Sequence, residues 1–279
     1  MSIGSIAEVS VRNSMIFVGV AAAIALATFL YAYAMTVGLG NPGKFTGWIL
    51  FTSLVMLALF AIRKKFTYPP LLRASTWLRL HIWLGVLSLF LFALHTNLRL
   101  PGGAFEGLLY VLFCLLAASG IWGLYLSNVV PKRLTERGNE VIFERVPVFG
   151  RQLRNRMDEH MQSAASIGSE TLLTFIRLHL IDYMSSTKHI RSHVFGSERP
   201  RQNLHRKLAQ SRRYMNKDEL EIANQIAELI DTKYDLDFHF FQQGLLKIWL
   251  FIHIPLTWVL MLFVLVHIVV VYSFSGSSI

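Results

Sequence analysis

Residues 81–95 read HIWLGVLSLFLFALH, and residues 253–267 read HIPLTWVLMLFVLVH. Each stretch opens and closes on histidine, and Ser88 and Thr257 are the only hydroxyls in between. A surface helix of a soluble domain needs a polar face, and neither stretch has one. Each lies in a longer apolar run, 77–98 and 245–274, about the 20 residues that carry a helix across hydrocarbon. Three more runs of this kind occupy 14–37, 46–62 and 105–127. The expected fold is therefore all-α, an integral membrane bundle of five transmembrane helices with a helical cytoplasmic insert. The expected divisions are 1–127 for helices one to four, 128–244 for the insert, and 245–279 for the fifth helix and an outer tail.

Composition agrees. Of 279 residues, 53% are hydrophobic and 16% charged, against about 25% charged in a typical soluble domain. The mean hydropathy is +0.45. The formal charge of +10 does not read as a nucleic-acid footprint. Residues 132–247 hold 19 Lys and Arg against 15 Asp and Glu, a net of +4. The rest lies in short segments beside apolar runs, where it sets topology and meets anionic membrane lipids. The single cysteine, Cys114, lies inside a span, so no disulfide framework, CxxCH haem attachment or cysteine-ligated cluster is expected. The first span is too long for a signal-peptide core and is expected to be retained.

The connections alternate in charge. GLGNPGKFTG between spans one and two carries Lys44 alone, and NLRLPGGAFEG between three and four sets Arg99 against Glu106. The second connection holds Arg63, Lys64, Lys65, Arg73 and Arg79, and the segment after span four is long and basic. Positive loops stay in the cytoplasm. The N-terminus is then cytoplasmic and the C-terminus periplasmic in a bacterial inner membrane. Spans three and five run in the same direction.

In the insert, the pattern predicts one helix over about 148–184, with an apolar stripe of Leu153, Met157, Met161, Leu172, Phe175 and Leu178. It predicts a second over about 217–232, with Asn216 as N-cap ahead of Asp218 and Glu219. Residues 185–202 read as a loop. No GxGxxG or P-loop occurs, so no flavin or nicotinamide site is expected.

Four of the ten histidines lie inside spans: His81 and His95 in the third, His253 and His267 in the fifth. A separation of 14 residues turns a helix through about 1400°, about 40° short of four full turns, so each pair shares a face. The rise of about 1.5 Å per residue sets the two rings of a pair about 21 Å apart. On parallel helices, His81 meets His253 at the inner level and His95 meets His267 at the outer level. Each level offers two imidazoles across a gap, and a haem iron takes two axial ligands on opposite faces. Two b-type haems, one per level, satisfy all four metal-ligating histidines. A lone membrane histidine often only hydrogen-bonds a neighbouring helix. Four at matched spacing fit that reading poorly, because ionisable groups in lipid are costly.

Arg79, Arg99 and Lys247 lie near these histidines in sequence, Arg99 four residues after His95 on the same helix face. They are candidate partners for haem propionates, or interfacial residues reaching for the headgroups. Gly85, Gly120 and Gly123 either admit a flat macrocycle or serve helix packing. Pro255 is a candidate bend. His189 and His193, four apart, have helical metal-pair spacing but no acidic or thiol partner at suitable local spacing, and read as surface histidines. No catalytic residues are assigned.

The two histidine-bounded stretches resemble the haem-holding core of the cytochrome b/b6 family, and are similar to the transmembrane domain of ferric reductases and NADPH oxidases. The resemblance covers about a fifth of the chain and implies the ligand role for His81, His95, His253 and His267 alone. No flavin–nicotinamide module accompanies them, and no Pro-Glu-Trp-Tyr motif of quinol-oxidising complexes. The expected function is that of a divergent di-haem cytochrome b subunit. It would carry electrons across the membrane between quinone and a partner redox protein, with a periplasmic multihaem c-type cytochrome as one candidate. The alternatives are a metal permease using the histidines and a structural anchor whose insert docks a partner.

Overall fold

The computed structural model describes residues 3–38, 40–63, 74–135, 143–185 and 198–275, and every regular element among them is helical. The chain forms two compact units, 1–124 with 249–279, and 125–248.

The first unit is built from α1 (Ile3–Val37), α2 (Gly43–Arg63), α3 (Ala74–Thr96), most of α4 (Ala104–Thr135) and the end of α9 (Lys217–Ser275). All five contain a stretch long and apolar enough to cross a membrane. α3 packs against α2 and α1. Leu50 and Leu54 of α2, Leu87 and Leu91 of α3, Phe113 of α4 and Leu260 of α9 form the core. Large apolar side chains remain uncovered on the outside, among them Ile121, Phe251 and Leu262. Such a surface is stable in lipid, where helices already satisfy their own backbone groups. The hydroxyls follow the same rule. Thr28, Ser53 and Thr257 each donate to the carbonyl four residues earlier. No polar hydrogen of theirs is left facing hydrocarbon. This is a membrane protein.

The second unit has its own core, gathered from α5 (Val146–Ser166), α6 (Glu170–Phe175), a π-turn (Ile176–Leu180), α7 (Ile181–Ser185), α8 (Arg199–Ser211) and the first part of α9. The helix expected over 148–184 is interrupted. Gly168 adopts φ +70°, and the Gly168 and Ser169 amides donate back to Ala165 and Ala164. That is the left-handed glycine stop. Ser169 then caps the next helix, its hydroxyl accepting from the Leu172 amide at 3.2 Å.

The stripe also needs correction at Leu178, which is 66% exposed, while Ile176 and Leu180 are fully buried. The π-turn adds a residue to the turn and rotates everything after Phe175 relative to an α-helical register. Asn216 does cap α9. Its side-chain oxygen accepts from the Glu219 amide at 3.0 Å, and Glu219 accepts in return from the Asn216 amide at 2.6 Å. The second insert helix does not stop near 232, because α9 continues unbroken to Ser275, through Pro255. The segment expected as a loop contains the start of α8 at Arg199, and residues 186–197, with His189 and His193, lie outside the described residues.

Candidate functional site

α3 ends at Thr96, one residue after His95, because Asn97 and Leu98 both adopt positive φ, +49° and +55°. A non-glycine residue held there is strained by about 1–2 kcal/mol. Arg99 is therefore not on the face of α3, as the spacing suggested. It follows the turn, and still lines the same cavity as His95.

That cavity encloses about 620 Å³ within the first unit. Both His95 and His267 line it, so the structure brings the expected second pair together. Leu260 and Phe113 lie at its apolar wall, and Asn41, Lys44, Arg99 and Tyr272 also border it. The α1–α2 connection, the α3–α4 connection and the end of α9 thus meet at one end of the unit. α3 and the membrane part of α9 both finish there and so run parallel. The volume falls inside the roughly 300–1,000 Å³ typical of cofactor and ligand pockets.

The sequence reading passed over several residues around His95. Thr46, 1% exposed in the first turn of α2, places its hydroxyl 3.2 Å from His95 Nδ1. Gly47 faces the ring so closely that an added Cβ would lie 3.0 Å from His95 Cε1. Lys44 is a second cation beside Arg99, its Nζ 5.6 Å from the centre of the Tyr272 ring. Trp48 Nε1 donates to the Tyr272 hydroxyl at 2.8 Å. The ring of Phe105 lies 6.4 Å from that of His267. A signal for Gly47 and Thr46 did exist, since TG is small and polar at the opening of an otherwise bulky span. Their pairing with a histidine 49 positions away leaves no local trace.

At the other level, His81 is half-buried, its ring 4.8 Å from that of Phe60 on α2. His253 is held more elaborately. Its Nδ1 lies 3.1 Å from the Ser119 hydroxyl of α4. Trp249, one turn earlier, lies 5.3 Å from the His253 ring, and its indole N–H donates to the Ser119 carbonyl at 2.8 Å. Gly123 makes room for Trp249: a Cβ there would fall 1.8 Å from the indole. Gly123 thus serves helix packing. A Cβ added at Gly120 would meet His253 at ordinary distance, and Gly85 faces open space one turn after His81. Arg79 is half-buried on α3. Lys247 belongs to the second unit, its Nζ 3.8 Å from the centre of the Phe143 ring.

Between the two levels α3 contributes Leu87 and Leu91 and α9 contributes Leu260, all within the core. Leu260 is seven residues from each of its flanking histidines. Comparison with protein-family models, curated proteins and solved structures finds no match.

Proposed function

We propose that this chain is a di-haem b-type cytochrome of a bacterial inner membrane, serving as an electron-transfer subunit of a larger redox complex. The observation that carries it is the cavity lined by both His95 and His267, the second members of two histidine pairs that each span 14 residues. Bound haem would supply one-electron redox chemistry, with quinone and a c-type cytochrome as candidate exchange partners.

The residues fit such a group. His95 and His267 offer neutral imidazoles as axial ligands, and His81 and His253 are the corresponding pair one level away. The apolar wall keeps water from the ring, while Arg99 and Lys44 offer charge-assisted hydrogen bonds to carboxylates at the edge. Gly47 lets the His95 ring lie against backbone. Arg79 remains a candidate cation for the His81–His253 level, which the basic second connection makes the cytoplasmic one.

A metal permease would bring its ligands together near the bilayer midplane. Here the leucines of the core occupy the height between the histidine levels. An anchor without a cofactor would have no use for a histidine-lined cavity.

The test is spectroscopic. The purified protein should be red, with a reduced-minus-oxidised spectrum of low-spin b haem and two haems per chain. His95→Ala and His267→Ala should each remove one and the same haem, and His81→Ala and His253→Ala the other. A colourless preparation with its fold intact would falsify the proposal.

A further inference from the structure

The hydroxyl of Thr46 has three neighbours: the Pro42 carbonyl at 3.0 Å, the Gly43 carbonyl at 3.2 Å and His95 Nδ1 at 3.2 Å. A hydroxyl has one hydrogen to give and two lone pairs to accept with. Both carbonyls can only accept, so the hydrogen is directed at them. What remains for the imidazole is a lone pair. A ring hydrogen on Nδ1 meets that lone pair and leaves the ring lone pair on Nε2.

We infer that Thr46 is a positioning residue for the cavity: it fixes the His95 tautomer so that Nε2 is the nitrogen offered to a ligand. This rests on the di-haem reading for the identity of that ligand, although the hydrogen bond itself belongs to the protein alone. Two further features hold the arrangement. Thr46 is 1% exposed, so its hydroxyl is held within the protein. Gly47 packs against the same ring, with an added Cβ only 3.4 Å from Nδ1, which limits how far the imidazole can swing. Ligating histidines generally donate their second ring N–H in this way, which orients the ring and raises its basicity. The Thr46 hydroxyl sits on a neighbouring helix, beside the Gly43 carbonyl that also bonds the ring, so the packing of α2 on α3 sets the electronic character of the ligand.

Thr46→Val keeps the shape and removes the acceptor, and Thr46→Ser keeps it. In Thr46→Val, haem at the His95–His267 level should bind about tenfold or more weakly, the usual effect of losing such a partner. Where it remains bound, its ferrous fraction at a fixed potential should rise, because a less basic imidazole favours the ferric ion less. The other haem should keep its wild-type potential, and Thr46→Ser should restore both properties. In haem-free wild-type protein, nitrogen-15 spectra of labelled histidine should show His95 protonated at Nδ1. Wild-type potentials and occupancy at both haems in Thr46→Val would overturn the inference, as would a bare Nδ1 on His95. A wild-type chain that takes up no haem sinks the di-haem reading instead, and the nitrogen-15 spectrum still decides the hydrogen bond.

Discussion

At His95 three kinds of residue act on one imidazole: a glycine that yields space, a hydroxyl within hydrogen-bond distance, and cations that border the shared cavity. Each predicts a different failure. Gly47→Ala must push the His95 ring by a few tenths of an ångström, since the new Cβ starts 3.0 Å from Cε1. On the proposed di-haem reading, haem at that level should be lost or spectrally shifted while the other stays intact, measured as haem per chain. Arg99→Gln and Lys44→Gln should leave the fold alone but remove positive charge beside the cavity. Positive charge favours the reduced, less positive iron, so each variant should lower the potential of that haem in a redox titration. Gly123→Ala is a packing failure. With the indole of Trp249 1.8 Å from the new Cβ, the helices must separate or Trp249 must turn. Overpacking of this kind costs about 1–3 kcal/mol, visible as a lower unfolding temperature of the full chain in detergent. The histidines themselves were legible in the sequence because spacing on a helix is local arithmetic. Gly47, Thr46 and Ser119 were not, because what they touch is far away in the chain.

Elements obey local rules until a local exception intervenes. The capping pair at Asn216 and Glu219 formed as its sequence spelled it. The glycine stop at Gly168 was equally spelled, by SIGSE, but the apolar stripe ran on past it and masked the break. The π-turn at Ile176–Leu180 has no comparable signature, and it is what turns Leu178 outward. Leu178→Lys should therefore change stability by less than about 0.5 kcal/mol, as exposed positions do. Ile176→Lys buries a charge in the core and should prevent folding of the second unit, read by circular dichroism and protease resistance. Further along, Lys233 and Asp237 form an ion pair one turn apart on α9, both almost fully buried. Lys233→Met alone strands a buried carboxylate and should cost about 3–5 kcal/mol. The double variant Lys233→Met, Asp237→Leu should recover most of it, which a double-mutant cycle of melting temperatures would show.

On the scale of the whole chain, two units share one helix, with α9 entering the second unit's core at Ile222 and the first unit's core at Leu260. Both connections that border the cavity carry little charge, and the other connections are basic, which predicts the sidedness. With Cys114 replaced by serine, the chain has no cysteine. A cysteine introduced at Gly102 should then react with an impermeant thiol reagent from the periplasm of intact cells. One introduced at Arg206 should react only after the inner membrane is opened. Labelling at Arg206 from the periplasm, with Gly102 reached only after the membrane is opened, would reverse the topology and with it the assignment of inner and outer levels.

The sequence alone determined that five helices are apolar enough to cross a membrane, that a polar helical block interrupts them, and that two of these helices each carry a pair of histidines 14 residues apart. These follow from hydrophobicity and from the fixed pitch of a helix, which no partner can alter. The tertiary structure alone decided that Arg99 reaches the cavity through a left-handed turn, that Lys44 joins it from the start of α2, and that Thr46 meets His95. Those depend on which helices touch and at what rotation, and close packing settles that only when all the side chains are in place.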